Sequence, residues 1–260
     1  MGRTIDSAAD GGGRAPAGPQ PVAVLVAAYD EQERIGATLA ALAGAFPAAR
    51  LWVADDGSRD ATAALAAAAG ASVVSAGRVI GKGGAMTLAA RAALAEHGSG
   101  PDSVYLLCDG DLGSSAGRLG PLVAEVADGR ADLAVAAFAR RVGGGVGAAR
   151  GFAAWAIRRG CGLRTQAPIS GQRALGGDTL ASVLPLAAGF GMEVGMTIDA
   201  VRGGRRVSEV ELDLSHRATG RTLAGFAHRG RQLVDFARAY LARRGGTRRT
   251  LSRNLGAPGR

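Results

Sequence analysis

Short apolar runs recur along the chain, with room for one helix between each run and the next. The first run is PVAVLVAA at 21–28, and others lie at 51–55, 71–75, 104–109 and 132–138. They are apolar throughout rather than alternating with polar residues, which is typical of strands buried on both faces of a parallel sheet. The runs therefore predict a central sheet that is covered on both sides.

The segments between these runs have the period of amphipathic helices. In the first of them, apolar residues recur at Ile35, Leu39, Leu42 and Phe46. Further helices are predicted at about 60–69, 83–96, 116–128, 192–202 and 221–244, with a last strand at 206–214. Because strands alternate with helices, we expect an α/β domain with a mostly parallel central sheet flanked by helices and a C-terminal helical extension.

The two ends of the chain lack periodic apolar positions. Residues 1–20 and 245–260 are rich in Gly, Pro, Ser and Arg, which predicts a disordered N-terminal segment and a flexible basic tail. Between them, 21–244 is expected to form one domain. Residues 140–190 are also rich in glycine and short on period, so this region is expected to form loops around a site.

The charge balance is basic, with 31 Lys and Arg against 22 Asp and Glu. A basic chain can bind nucleic acid, a membrane surface or a phosphorylated substrate, and charge alone does not choose among them. Neither a signal peptide nor a run of about 20 apolar residues, as needed to span a bilayer, is visible. With only two cysteines, Cys108 and Cys161, this pattern predicts a cytoplasmic protein.

The predicted strand at 104–109 ends in two carboxylates, Asp109 and Asp111, with Gly110 between them. In an extended segment, side chains two residues apart lie on the same face, with their Cα atoms roughly 6.5 Å apart. Both carboxylates can then lean towards one cation, and their oxygens suit Mg²⁺ or Mn²⁺. Since ligands bind beyond the carboxyl ends of strands in an open parallel sheet, the position of the pair favours a metal site.

The loop GRVIGKGGAM at 77–86 places Lys82 between glycines at the start of a helix. It is not a Walker A loop, because three residues rather than four separate its first glycine from the Gly-Lys pair, and Gly83 replaces Ser or Thr. Backbone amides and the helix dipole favour an anion at such a position. Lys82 is therefore a candidate for holding a diphosphate, the alternative being a solvated lysine in a turn.

The order of the motifs resembles that of the family-2 glycosyltransferases, which have the GT-A (Rossmann-like) fold. The resemblance spans about 21–240 and is carried by VAVLVAAYDEQERIGATL, VADDGSRDAT, GKGGAM, LLCDGDL, AAGFGMEVGMTIDA and HRATGRTLAGFAHRGRQ. Within this family the motif order is most similar to that of the glucosyl-3-phosphoglycerate synthases.

The resemblance implies a metal-dependent enzyme that moves a hexose from a nucleotide diphosphate sugar to a hydroxyl acceptor. A UDP-sugar such as UDP-glucose is the implied donor, and Mg²⁺ or Mn²⁺ is the implied cofactor. A small phosphorylated acceptor such as 3-phosphoglycerate is one candidate. No nucleic acid is expected as a partner, membrane contact would be peripheral at most, and a homodimer is an open alternative.

The resemblance also implies roles for individual residues. Those expected to bind the nucleotide sugar are Ala28, Tyr29, Glu31, Asp56, Lys82, Asp109 and Gly110. Those expected to bind the metal are Asp109, Asp111 and His216. Glu193 and Asp111 are the candidate catalytic residues; a carboxylate at the position of Glu193 is a general base in inverting enzymes and positions sugar or acceptor in retaining ones. Arg141 and Arg150 are weaker candidates for an acceptor phosphate.

Two segments depart from the family pattern. AAYDE at 27–31 stands where the phosphoglycerate enzymes have a proline-containing loop, and ISGQRA at 169–174 replaces their acceptor segment. The acceptor and the stereochemistry therefore stay open. Two rival functions are a sugar-phosphate nucleotidyltransferase, which would need a basic Gly-rich loop where AAYDEQE is acidic, and a basic phosphate- or membrane-surface-binding protein with a vestigial sugar site.

Overall fold

The structure is a computed structural model that describes residue 19 and residues 21–100, 102–138, 147–214 and 223–243. For residues 223–232 it describes the backbone alone. Several sequence predictions fall outside the described residues: the N-terminal segment apart from residue 19, the basic tail, Arg141 and His216.

Seven strands form one sheet in the described part of the chain. They are β1 Ala23–Ala28, β2 Arg50–Asp55, β3 Ser72–Ser75, β4 Val104–Asp109, β5 Leu133–Phe138, β6 Arg173–Gly176 and β7 Val207–Leu212. Their order across the sheet is β3-β2-β1-β4-β6-β5-β7. Strand β6 runs antiparallel to β4 and β5, and the other described pairs are parallel. The predicted α/β class with a mostly parallel sheet is confirmed.

The described residues also form eight α-helices. They are α1 Ile35–Ala45, α2 Thr62–Ala68, α3 Lys82–His97, α4 Gly120–Ala127, α5 Gly147–Cys161, α6 Gly177–Ser182, α7 Met192–Arg202 and α8 Leu223–Arg243. Short 3₁₀ segments lie at Gly113–Arg118 and Gly189–Gly191. The single helix predicted at 116–128 is thus divided. Pro121 stands in the first turn of α4, where its missing N–H and fixed φ suit the start of a helix.

The expectation of loops throughout 140–190 is wrong where α5, β6 and α6 form. Helix α5 buries Ala149, Ala153, Ala156 and Ile157, which recur with the spacing of one helix face. Small alanines among glycines and arginines make a weak apolar stripe, and for this reason the pattern is easy to miss. Helix α5 packs against α7 and α8.

Apolar layers cover both faces of the sheet. On one face, Val26 of β1 lies in a cluster with Leu39 of α1, and on the other, Leu25 lies in a cluster with Met86 of α3. This accounts for the continuous apolar character of the strands. Cys108 of β4 is part of the first cluster, and burial raises the pKa of its thiol, as befits a core residue rather than a nucleophile.

The C-terminal helical extension is confirmed. Helix α8 packs on α5 and α7 through a third cluster that contains Ile157, Ile198, Phe236 and Tyr240. No helix among the described residues is long and apolar enough to cross a bilayer.

Strand β6 decides which later residues meet the end of β4. It lies between β4 and β5, and Arg173 pairs with Leu107 on one side and Val135 on the other. Because β6 is antiparallel, its first residues lie at the edge where its parallel neighbours end. The segment that leads into β6 is therefore brought to the ligand-binding edge of the sheet.

Candidate active site

Lys82, Asp109 and Glu193 meet at the carboxyl edge of the sheet. The Lys82 Nζ lies 2.6 Å from Asp109 Oδ1 and 2.7 Å from Glu193 Oε1. Their side chains are 21%, 32% and 4% exposed. Burial opposes the charge on Lys82, but the attraction of the two carboxylates is larger and raises its pKa. The alternative of a lysine solvated in a turn is therefore wrong.

The sequence uses lysine at this one position. Of the 31 Lys and Arg residues in the chain, Lys82 is the single lysine. An ammonium is a compact charge on a flexible stem, whereas a guanidinium is a rigid planar fork. A chain that is otherwise basic through arginine thus keeps the compact cation between two carboxylates.

The loop before Lys82 is held by Asp56, which follows β2. Asp56 Oδ1 accepts hydrogen bonds from the backbone amides of Ile80 and Gly81, at 2.7 and 2.8 Å. Gly81 has a φ of +84°, a left-handed conformation that glycine adopts without strain. Asp56 therefore fixes the turn that aims Lys82 into the site, a role that sequence reasoning did not assign to it.

Helix α3 begins in close contact with the segment before α7. A Cβ at Gly83 would overlap the carbonyl oxygen of Ala187, and a Cβ at Gly81 would lie 3.2 Å from the backbone of Gly189. The two glycines let these backbones touch. This contact sets the start of α3, which carries Lys82, against the start of α7, which carries Glu193.

The second oxygen of Asp109 is bound from the segment leading into β6. Gln172 Nε2 donates to Asp109 Oδ2 at 2.7 Å, and Ser170 Oγ donates to Gln172 Oε1 at 3.1 Å. Gln172 is 2% exposed. Asp109 is therefore oriented from two sides, by the ammonium of Lys82 and by the amide of Gln172.

The Asp-x-Asp pair is not the continuous extended segment that the sequence predicted. Strand β4 ends at Asp109, and residues 110–111 form a turn. The Gly110 amide donates to Ala27 O at 2.8 Å, and its carbonyl accepts from Thr38 Oγ1 at 2.7 Å. These bonds fold the chain back over β1, so the small size of Gly110 serves packing against β1 and α1.

The end of β1 supplies the predicted nucleotide loop. The carbonyl of Ala28 accepts from the Asp56 amide at 3.0 Å, which joins the ends of β1 and β2. The Glu31 amide donates to Thr62 Oγ1 at 2.8 Å. Tyr29 is exposed, and Asp30 has a φ of +53°. The loop is thus tied to α2 and presents an aromatic ring at the edge of the sheet.

A cleft of about 430 Å³ opens beyond the ends of β2 and β3. Its lining residues are Asp55, Gly57, Ser58, Arg59, Ser75, Gly77, Arg78 and Val79. Gly57 has a φ of +76°, and a Cβ there would lie 2.7 Å from the backbone of Arg78. Polar groups of both charge signs line this cleft, which lies next to the loop that carries Lys82.

Glu193 lies in the first turn of α7, where the helix dipole favours a carboxylate. One turn later, Thr197 Oγ1 donates to the Glu193 carbonyl at 2.9 Å and accepts from Arg173 Nη1 at 3.0 Å. Arg173 is fully buried. Glu193 is therefore paired with Lys82 and is also attracted by the charge of Arg173.

Arg150 of α5 lies at a different point, where it donates from Nε and Nη2 to the carbonyl of Gln166, at 3.1 and 2.6 Å. The carboxylate of Glu209 in β7 accepts the backbone amides of Gln166 and Ala167, each at 2.9 Å. Arg150 thus fastens the segment that leads to Gln172. Its predicted role as an acceptor ligand stays a prediction.

The family model of glycosyl transferase family 2 matches residues 23–169, more than half of the chain. The chain belongs to this family. It is thus a glycosyltransferase, and its fold and motif order agree with that assignment. No curated protein matches the chain at a significant level.

Solved structures similar to this glycosyltransferase include glucosyl-3-phosphoglycerate synthase from Mycobacterium tuberculosis. Its complex with phosphoglyceric acid is 28% identical, with a TM-score of 0.68 over 86% of this chain and 80% of the other. Its complex with Mn²⁺, UDP-glucose and phosphoglyceric acid is 26% identical, with a TM-score of 0.68 over 87% and 80%. A third complex, with Mn²⁺, UDP-glucose and glycerol 3-phosphate, is 26% identical, with a TM-score of 0.64 over 85% and 80%.

Sequence reasoning missed two residues of the glycosyltransferase site, Gln172 and Arg173. Both stand in ISGQRALGG, which was read as a loop. The antiparallel pairing of β6 brings Gln172 to Asp109 and Arg173 to Thr197 of α7.

Proposed function

We propose that this glycosyltransferase moves a hexose from a UDP-sugar, with UDP-glucose as the first candidate, to a hydroxyl group of a small phosphorylated acceptor. Mn²⁺ or Mg²⁺ is the proposed cofactor. The observation that carries the proposal is the cluster of Lys82, Asp109 and Glu193 at the carboxyl edge of the sheet. It gains support from the similar synthase whose complex contains Mn²⁺, UDP-glucose and phosphoglyceric acid.

The residues present fit a divalent cation that shares its ligands with a substrate. Among the described residues, no three His, Cys, Asp or Glu side chains cluster tightly enough to enclose a metal ion. One or two carboxylates are what Mg²⁺ uses when substrate phosphates and waters supply its other ligands. Asp111 and Asp109 would hold it, with His216 as a proposed third ligand. A bound ion of this kind would neutralise charge on the leaving diphosphate.

Lys82 supplies a second, permanent positive charge at the same place. Its ammonium stands at the first residue of α3, where helix amides also favour an anion. We assign it to the diphosphate of the donor, whose charge increases as the bond to the sugar breaks. Preorganised charges of this kind usually contribute most to catalysis.

Glu193 belongs to the sugar and acceptor side of the site. It is buried and lies opposite Asp109 across Lys82, and it is not among the residues that line the cleft beside Arg78. We assign it to positioning the transferred sugar or the acceptor hydroxyl. A role as general base would apply if transfer inverts the anomeric carbon.

A panel of nucleotide sugars tests the donor. Each is added to the full chain with Mn²⁺ or Mg²⁺, and the thermal unfolding midpoint is measured before and after addition. A ligand that binds only the folded state raises the midpoint by mass action, even when the acceptor is unknown. We expect UDP-glucose with Mn²⁺ to raise it most, and no response to any nucleotide sugar would refute the proposal. Transfer is then followed with phosphoglyceric acid, glycerol 3-phosphate and unphosphorylated glycerol as acceptors.

The Asp111→Asn variant tests the metal assignment. We expect it to lose metal-dependent turnover while its unfolding midpoint without ligands stays close to that of the wild type. The substitution keeps the size of the side chain and removes the charge that a divalent cation requires. Full activity in this variant would show that the metal is held elsewhere. Asp213→Asn, which removes an exposed carboxylate paired with Arg118, serves as the matched control.

A further inference from the structure

Arg173, the first residue of β6, is fully buried and keeps one donor group unused. Its Nε donates to Ser170 O at 2.8 Å and its Nη1 to Thr197 Oγ1 at 3.0 Å. Its Nη2 has no hydrogen-bond partner. A buried donor without a partner destabilises the folded state, and such groups are rare. We therefore look for a function that uses the unpaired Nη2 group of Arg173.

The charges around Arg173 are those of the active site. Burial lowers the pKa of Arg173 to about 10, while the carboxylates of Glu193, Asp109 and Glu209 act in the opposite direction. The guanidinium is therefore charged at neutral pH. Within the cluster, Lys82 and Arg173 balance Asp109 and Glu193.

Thr197 links Arg173 to the helical turn that carries Glu193. Its hydroxyl accepts from Arg173 and donates to the Glu193 carbonyl, four residues earlier in α7. Residues four apart lie on the same face of a helix. The guanidinium thus faces the side of α7 from which Glu193 projects.

Under the proposed function, binding of the donor would change what Glu193 contacts. In the structure, the Lys82 ammonium bridges Glu193 and Asp109. If Lys82 turns to the diphosphate, as the proposed function requires, the almost fully buried carboxylate of Glu193 loses that cation. A buried carboxylate left without a partner is strongly destabilising, so another group must replace the ammonium.

We propose that Arg173 is a positioning residue that holds and neutralises the Glu193 carboxylate through its unused Nη2 group when Lys82 engages the donor diphosphate. The exchange of partners rests on the proposed function. The electrostatic pairing of Arg173 with Glu193 does not, and the two parts are tested separately.

A double-mutant cycle on ligand binding tests the exchange. The variants are Arg173→Met, Glu193→Gln and the double variant, and the dissociation constant of UDP with Mn²⁺ is measured by calorimetry. We expect Arg173→Met to weaken binding about tenfold in the wild-type background and by less than about twofold beside Glu193→Gln. Arg173→Lys, which keeps the charge, should recover most of the loss. Equal losses in both backgrounds would overturn the exchange.

Steady-state kinetics add a second measurement. We expect Arg173→Met to lower kcat more than it changes the KM for the acceptor, because a displaced Glu193 matters most in the transition state. Because a smaller folded fraction would also lower the apparent kcat and leave KM unchanged, kcat is expressed per folded molecule, with the folded fraction taken from the calorimetric binding stoichiometry. An unchanged kcat in a folded Arg173→Met variant would refute the positioning role.

Unfolding by urea without any ligand tests the pairing itself. Arg173→Met should lower the midpoint more in the wild-type background than beside Glu193→Gln, and additive losses would refute the pair. If Arg173→Met alone does not fold, recovery of folding by Glu193→Gln supports the pair and failure to recover contradicts it.

Arg205→Met is the control, because Arg205 pairs with Asp178 outside the site and should show no coupling to Glu193. If the wild type binds no UDP with Mn²⁺, the proposed function fails while this cycle still decides the pairing.

Discussion

At the scale of single residues, the site is organised by a cation that two carboxylates share. Lys82 stays protonated because Asp109 and Glu193 outweigh the effect of burial, which on its own would lower the pKa. The stability that this charge contributes is fully present below the ordinary lysine pKa. It is lost only as the pH rises through the higher pKa of the folded state.

The reactivity of Lys82 follows from this arrangement. Since it is the single lysine, an amine reagent has one side-chain target in the chain. We expect Lys82 to resist acetic anhydride at pH 9, because a protonated and buried amine is a poor nucleophile. Glu193→Gln should make it react, since one of the two carboxylates that raise its pKa is removed. Mass spectrometry of the peptide that contains Lys82 measures the modification.

Urea-unfolded protein provides the control for this labelling, because its lysine has an ordinary pKa and must react. Rapid acetylation of Lys82 in the folded wild type would contradict the ion pairs seen in the structure. Protection of Glu193→Gln equal to that of the wild type would mean that Asp109 alone holds the ammonium.

The parts of the site that follow the predicted strands could be read from the sequence. Asp56 and Asp109 end apolar runs, and Lys82 opens a helix in a glycine-rich loop, so each has a local signature. Gln172 and Arg173 have none, because β6 is four residues long and its antiparallel placement depends on the whole sheet. The contact of Lys82 with Glu193 joins residues 111 positions apart, which no local pattern encodes.

At the scale of elements, the close contact between the starts of α3 and α7 is possible because Gly83 has no side chain. Gly83 touches the carbonyl of Ala187, and nothing flexible can move aside there. We expect Gly83→Ala to destabilise the fold by about 2 kcal/mol, through overpacking. We also expect turnover to fall by about a hundredfold, through displacement of Lys82. Urea unfolding and steady-state kinetics measure the two effects.

Gly84→Ala is the matched control for that variant. The three atoms nearest to a Cβ at Gly84 all belong to the side chain of Ile80, from 3.1 Å, and that side chain can rotate away. Alanine is also favoured over glycine within a helix. A loss of activity in Gly84→Ala as large as in Gly83→Ala would mean that glycine content, and not the contact with Ala187, matters in this helix.

The junction of β5 and β7 is fastened by Asp132, and its effect depends on pH. The Asp132 carboxylate accepts from the Arg206 amide at 2.7 Å and from its Nη2 at 2.9 Å. Hydrogen bonds from Arg206 lower the pKa of Asp132, although partial burial opposes them. A lowered folded-state pKa gives stability that is present above the ordinary aspartate pKa and lost as the pH falls through the folded-state value.

Asp132→Asn should therefore lower the urea midpoint at pH 7, and the difference from the wild type should shrink as the pH falls below about 4. Urea unfolding at both pH values measures the effect. A difference that is the same at both would assign the loss to packing rather than to charge.

Most elements could be predicted from periodicity, and the exceptions have physical reasons. Helix α7 begins and ends where the sequence predicts, because its apolar residues are large and regularly spaced. Helix α5 was missed because its buried face consists mainly of alanines. The sequence does not predict the division before α4, because the apolar period continues across Pro121. A proline in the interior of a helix interrupts its hydrogen bonds, so α4 begins just before Pro121.

At the scale of the whole molecule, many of the basic residues lie in a part of the sequence that is separate from the proposed catalytic residues. The described site contains a balanced set of charges, whereas arginines are abundant in the last fifth of the sequence. We expect deletion of residues 245–260 to leave turnover with the preferred donor unchanged, because the motifs that carry the family resemblance end before residue 240. Kinetics of the truncated chain, with the full chain beside it, test this. Loss of function on deletion would favour the rival of a surface-binding protein.

The central position of β6 has a consequence for dividing the chain. The family match ends at residue 169, before Arg173 begins β6. A fragment cut at that point would leave β4 and β5 without the strand that joins them. Their backbone amides and carbonyls would form two open edges, and open edges recruit strands from other molecules. Residues 23–169, which match the family model, would thus be prone to aggregate as a separate fragment. The strand that joins β4 to β5 comes from a later part of the chain.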